Sequence, residues 1–167
     1  MGGLIKLGLL LAVFVSSVML GSSLAAEDRR RVKALSELGR LIVYIRISVG
    51  CYGAPMERIF DSFRSAELER TGFLSQLSDW GERDGAFSEA LRSCSRPLGL
   101  GELTDALIPF GDSLGRLLPE EQSESCRGAE ALIEAELQRR RGELPDRIKL
   151  HRATCTALGM MAVLLLM

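Results

Sequence analysis

The sequence predicts an all-α protein, a six-helix bundle held between two membrane-spanning helices. Hydrophobic residues make up 47% of the 167-residue chain but aromatic ones only 5%, a balance that favours Leu- and Ala-rich helices over a sheet. Apolar residues recur every three or four positions, and no stretch alternates with period two for more than a few residues. Both ends of the chain are uncharged apolar runs bordered on their inner sides by Arg and Lys. The length allows one domain at most, divided into a spanning helix over 1–26, a bundle over 27–147 and a second spanning helix over 148–167.

The first run, Leu7 to Ala26, holds no charge and measures roughly 30 Å as a helix, the thickness of a bilayer core. A cleaved signal peptide is the rival reading, since Lys6 precedes the run and Ser23-Leu24-Ala25 resembles a processing site. Arg29, Arg30, Arg31 and Lys33 follow at once, however, and such charge resists export. The C-terminal run mirrors this pattern, with Arg147, Lys149, His151 and Arg152 ahead of residues 153–167. It is short for a span unless its helix starts near Ile148 and the basic side chains reach back to the interface. By the positive-inside rule the central segment lies in the cytoplasm and both termini lie on the far side. Small residues at a spacing of four, Gly8, Ala12 and Ser16 in one run and Ala153 and Ala157 in the other, are the expected contact faces between the two spans.

Leu35, Leu38, Leu41, Ile42, Ile45 and Val49 mark the first bundle helix, about Asp28 to Ser48, continuous with the span before it. Gly50 to Gly53 breaks it, and Pro55 opens a second helix with Met56, Ile59, Phe60 and Phe63 on its apolar face. The third covers 66–81 through Leu68, Phe73, Leu74 and Leu77, and the fourth covers 86–95 through Phe87, Ala90, Leu91 and Cys94. Residues 97–101 read as a connector. A fifth helix carries Leu103, Leu107 and Phe110 and ends near Gly111 to Gly115. The sixth opens at Pro119 with Glu120 and Glu121 in its first turn, runs through Ala129, Leu132, Ile133 and Leu137, and is interrupted by Gly142 and Pro145.

Net charge is −1, which suggests no nucleic-acid partner, but the charge is unevenly spread. Residues 27–46 with 139–152 hold 12 Lys/Arg against 5 Asp/Glu, and residues 47–138 hold 8 against 17. Glu120, Glu121 and Glu124 concentrate the acidic excess and form a possible partner face. The cysteines at 51, 94, 126 and 155 fit neither a zinc motif nor a redox pair and read as free thiols. There is no phosphate loop, HExxH or GxSxG, and the one histidine, His151, sits at a predicted membrane boundary. The expectation is a non-enzymatic protein with no catalytic or metal-binding residues, no cofactor and no small-molecule substrate.

Several local patterns resemble the stage III sporulation protein AB family: the apolar start, Pro55-Met56 after a short break, and Phe87-Ser-Glu-Ala-Leu91. The basic-to-apolar finish, Arg152 to Gly159, belongs with them. The most specific is Phe110-Gly111-Asp-Ser-Leu114-Gly115 followed by Gln122. Leu117-Leu118 stands where family members usually place a Ser-Asp cap. The resemblance implies a fold similar to the cytoplasmic domains of the type II secretion platform protein F. It also implies a platform or adaptor in the channel complex between mother cell and forespore, in the mother-cell membrane facing the forespore. A secretion-type ATPase and other stage III sporulation membrane proteins would be its partners. The alternative from the residues alone is a secreted or periplasmic helical binding module with a cleaved signal peptide.

Overall fold

The computed structural model describes residues 2–77 and 85–166, with side chains placed for 15–16, 19–77, 85–151 and 153–161. Eight helices occur among the described residues: α1 (Gly2–Tyr52), α2 (Met56–Ser62), α3 (Ala66–Arg70), α4 (Phe73–Leu77), α5 (Ala86–Ser93), α6 (Ser95–Leu98), α7 (Leu103–Ser113) and α8 (Pro119–Leu166). They divide into two compact units, residues 31–140 and the chain ends 1–30 with 141–167.

The larger unit is built on two long helices whose apolar stripes supply its core. From α1 come Leu35, Leu38, Leu41, Ile42 and Ile45, and from α8 come Cys126, Ala129, Ile133 and Leu137, all buried. Gly39 brings the two backbones together, because a Cβ there would lie 3.2 Å from Ile133 Cγ2. Further along α1, Arg46 Nε donates to Glu130 Oε1 at 2.7 Å and ties the same two helices through charge. The short helices close over this pair around Phe87, which is fully buried. Its ring meets Phe73 edge-on at 5.4 Å and Phe110 edge-on at 5.6 Å, with Phe60 tilted at 6.3 Å. Edge-to-face contact sets the positive rim of one ring against the negative face of the next.

Three expected boundaries change for backbone reasons. The single helix expected over 66–81 is two, because Gly72 at φ +78 turns the chain between α3 and α4 and Thr71 Oγ1 donates to Leu68 O at 2.8 Å. The part of that expectation beyond Leu77 lies outside the described residues. The expected interruption at Gly142 and Pro145 does not occur, and α8 runs unbroken to Leu166. A helical proline frees the carbonyl four residues earlier. Here that carbonyl belongs to Arg141, which like Pro145 is exposed, so water can satisfy it. The same reasoning carries α7 past Pro109, since Asp105 and Pro109 share the exposed face. The connector expected over 97–101 begins with the one-turn helix α6, closed where Gly99 at φ +65 lets Leu100 N–H donate to Ser95 O at 2.8 Å.

In the smaller unit the described contact between the chain ends is made by small and polar residues. A Cβ on Gly21 would lie 3.1 Å from Cys155 Cβ and 3.3 Å from its Sγ. Ala25 and Gly159 are buried, and His151 Nε2 stands 3.3 Å from Asp28 Oδ2. The large apolar side chains point the other way: Val15, Met19, Leu20, Leu24, Leu150, Leu158, Met160 and Met161 are all exposed. Among the described residues no helix is long and apolar enough to cross a membrane; the side chains of residues 1–14 and 162–167, where the apolar runs are densest, lie outside that description.

Two glycines separate packing from propensity. Gly111→Ala would place a Cβ 3.0 Å from the Ser88 nitrogen, and chemical denaturation should show a loss of about 1–3 kcal/mol. Gly128→Ala, in mid-helix with nothing within 4 Å, should gain about 0.5–1 kcal/mol.

Candidate functional site

The chain between α7 and α8 gathers the most specific sequence pattern into one turn. Phe110 anchors the end of α7 through its contact with Phe87, and Gly111 has no side chain because the Ser88 backbone occupies that space. Ser88 in turn donates its hydroxyl to Asp112 Oδ1 and to Gly85 O, the latter at 2.9 Å, locking α5 to α7. Leu114 is buried at the cap. Gly115 then takes φ +78, a conformation costly to residues with a Cβ, and its N–H donates to Gln122 Oε1 at 2.9 Å.

Gln122 is therefore an internal clamp: from the first turn of α8 it holds the turn that leads into α8. Gln122 is 1% exposed, and its amide lies beside the buried Cys126 thiol. No Ser-Asp cap is needed, because Pro119 begins the helix without an N–H to satisfy and Gln122 N–H donates back to Leu118 O at 2.8 Å. Leu117 and Leu118 are left exposed. The five motif residues, Phe110, Gly111, Leu114, Gly115 and Gln122, thus meet as one packed corner.

Glu120, Glu121 and Glu124 are exposed beside that corner. Glu124 pairs with Arg127 at 3.3 Å, and no ion pair among the described residues engages Glu120 or Glu121. Between the corner and the opening of α2 lies a groove of about 340 Å³ lined by Val49, Ala54, Met56, Glu57, Leu117 and Gln122. The groove was not legible in the sequence: its walls come from segments some 60 residues apart, and only the Pro55-Met56 and Gly115/Gln122 signals hinted at either side.

Charge elsewhere in the unit serves the fold. Hydrogen bonds from Arg139, opposed by burial and joined by Arg140, hold Glu136 down to about 2. Burial pushes the Cys126 thiol up to about 11, with the neighbouring Gln122 amide working against the rise. None of the four cysteines forms a disulfide. No cluster of three His, Cys, Asp or Glu among the described residues could hold a metal ion.

The expected membrane packing faces are placed unevenly. Gly8 and Ala12 lie outside the residues whose side chains are described, and Ser16 is exposed. Ala153 and Ala157 are exposed too, because the face of α8 that meets α1 carries His151, Cys155 and Gly159 instead. That set keeps the spacing of four but is shifted two positions along the helix.

The fold defines a helical-bundle protein whose most specific signature is spent on the geometry of one turn. The model of the stage III sporulation protein AB family matches residues 6–167, and the chain belongs to that family. No curated protein and no solved structure matches it.

Gln122→Ala should lower stability by about 1–3 kcal/mol through the stranded Gly115 N–H, read as a shifted denaturation midpoint. Glu136 adds a pH-dependent part. Its folded pKa is depressed from 4.5 to about 2, so its stabilisation is complete above 4.5 and disappears as pH falls through 2. Glu136→Gln should flatten the denaturation profile across that acid window and leave its slope near neutrality unchanged.

Proposed function

We infer that this stage III sporulation protein is a non-enzymatic platform, held in the mother-cell membrane by both chain ends, with its helical body in the cytoplasm. It serves the channel complex between mother cell and forespore as a docking body for a secretion-type ATPase and for other membrane proteins of the same stage. The observation that carries the membrane part is the inverted character of the smaller unit. Gly21, Ala25, Cys155 and Gly159 face inward while Leu20, Met19, Leu158 and Met161 face outward, with Leu20 64% exposed. In water such a pair would expose its greasy side and bury its small one. In lipid, where close backbone approach drives association, that is the favourable arrangement. Arg29, Arg30, Arg147 and Lys149 are exposed at the inner ends of both apolar runs, which supports the cytoplasmic placement of the body.

The docking part rests on the acidic surplus of residues 47–138 and on the free carboxylates at the start of α8. The secreted alternative is less well supported. Processing near Ala25 would strip α8 of the Gly21 and Ala25 surface on which Cys155 packs.

The purified protein should be recovered from membranes that resist an alkaline wash, at an intact mass of 18.3 kDa. A freely soluble product lighter by about 2.5 kDa, the weight of a removed leader, would overturn the anchored reading.

A further inference from the structure

The larger unit is sorted by charge along its length, and the end from which the chain leaves for the two apolar runs is basic. Arg31 and Arg140 are the first and last residues of that unit. Both reach the turn between α6 and α7, where a Cβ on Gly99 would lie 3.1 Å from Arg31 Cδ and 3.2 Å from Arg140 Nη1. Arg96 belongs to the same turn, its carbonyl accepting from the Gly99 N–H at 3.0 Å. Arg92 stands one turn earlier at the end of α5, and Lys33 lies in the first turn that α1 contributes to this unit. Lys33, Arg92 and Arg96 are exposed, and no hydrogen bond or ion pair among the described residues engages their side chains.

The acids at this end do not cancel that charge. Arg139 and Arg140 share one carboxylate, Glu136, at 2.7 and 2.6 Å, so that trio stays positive. Glu102 is the exposed acid of the turn, while Glu89 and Asp105 lie further inward along α5 and α7. Beside the turn, a cavity of about 660 Å³ sets Leu103, Leu132 and Ala135 next to Arg139 and Arg140. Apolar wall bordered by cations is the layering that a bilayer surface presents in reverse charge, hydrocarbon bordered by phosphate. The opposite end of the unit is acidic. Gly53, about 30 Å along α1 from Arg31 by helical rise, lines a groove with Glu57 and Pro119, and Glu57, Glu120, Glu121 and Glu124 are all exposed.

We propose that the basic end of the body sits against anionic phospholipid headgroups of the membrane that holds the chain ends, with phosphate oxygens accepting from Lys33, Arg92 and Arg96. Arg29, Arg30, Arg147 and Lys149 adjoin the apolar runs, where orientation in the membrane alone accounts for them. Arg92 and Arg96 are far from either run in sequence, and only folding brings them to this end. Each cation near an anionic leaflet raises the population of the contact about fivefold, and guanidinium suits phosphate because its N–H groups can donate in pairs. The inference depends on the anchored reading above and extends it from the chain ends to the body.

The test uses the full-length protein in nanodiscs doped with a gadolinium-chelating lipid, which broadens amide signals close to the headgroups. Labelling with 15N-glycine reports Gly99 and Gly101 at the basic end and Gly53 and Gly115 at the acidic end. In discs of equimolar phosphatidylcholine and phosphatidylglycerol, the attenuation of Gly99 and Gly101 relative to Gly53 and Gly115 should be at least about twofold stronger than in phosphatidylcholine alone. High salt should erase that difference. The double variant Arg92→Gln, Arg96→Gln, at exposed positions without side-chain partners, should erase it too while leaving the spectrum otherwise unchanged. Equal attenuation in both lipids would overturn the proposal and leave the basic end to an acidic protein partner. A lipid difference that persists in the double variant would overturn it as well. A chain that elutes apart from the discs would overturn the anchored reading and this inference together, whereas one that co-elutes with them and shows no lipid difference overturns this inference alone.

Discussion

The close approach of α1 and α8 at Gly39 is the constraint on which the larger unit rests. With Ile133 Cγ2 3.2 Å from where a Cβ would stand, a side chain at position 39 would require Ile133 to give way by a few tenths of an ångström. Every layer of the core depends on the separation of the two helices. Leu35, Leu38, Leu41, Ile42 and Ile45 on one side and Cys126, Ala129, Ile133 and Leu137 on the other are fully or almost fully buried, and close packing tolerates little change in spacing. The Arg46–Glu130 pair lies within the same contact. It is partly exposed, so its strength is that of a semi-surface ion pair, and its main effect is to fix the register of one helix against the other.

Given that frame, the short helices have a simple task, which is to bring Phe73, Phe87 and Phe110 to one place. None of α2 to α6 exceeds eight residues, and helices of that length are not stable alone. They persist because each delivers a core side chain and because Gly72, Gly85 and Gly99, all at positive φ, turn the chain sharply enough to do so. The family signature belongs to this economy. Its glycines and its glutamine close the last corner before α8.

The two units follow opposite packing rules. In the larger one, large side chains go in and charge stays out, as water requires. In the smaller one, glycine, alanine, cysteine and an Asp–His pair go in, and leucine and methionine go out.

Much of this was legible from residue order. The period of Leu35, Leu38, Leu41, Ile42 and Ile45 gives the buried face of α1 without any structure, and Pro55 and Pro119 announce helix starts because their missing N–H and fixed φ suit the opening of a helix. The basic borders of the apolar ends follow from charge counting alone. Three things needed the tertiary structure. Gly142 and Pro145 read as an interruption, yet α8 continues, since whether a freed carbonyl meets water depends on which face it occupies. Ala153 and Ala157 share a spacing of four with His151, Cys155 and Gly159, and periodicity cannot say which of two such sets meets the partner helix. The role of Gln122 could not be read at all, because a buried glutamine takes its meaning from what the fold places around it, here the Gly115 N–H on one side and the Cys126 thiol on the other.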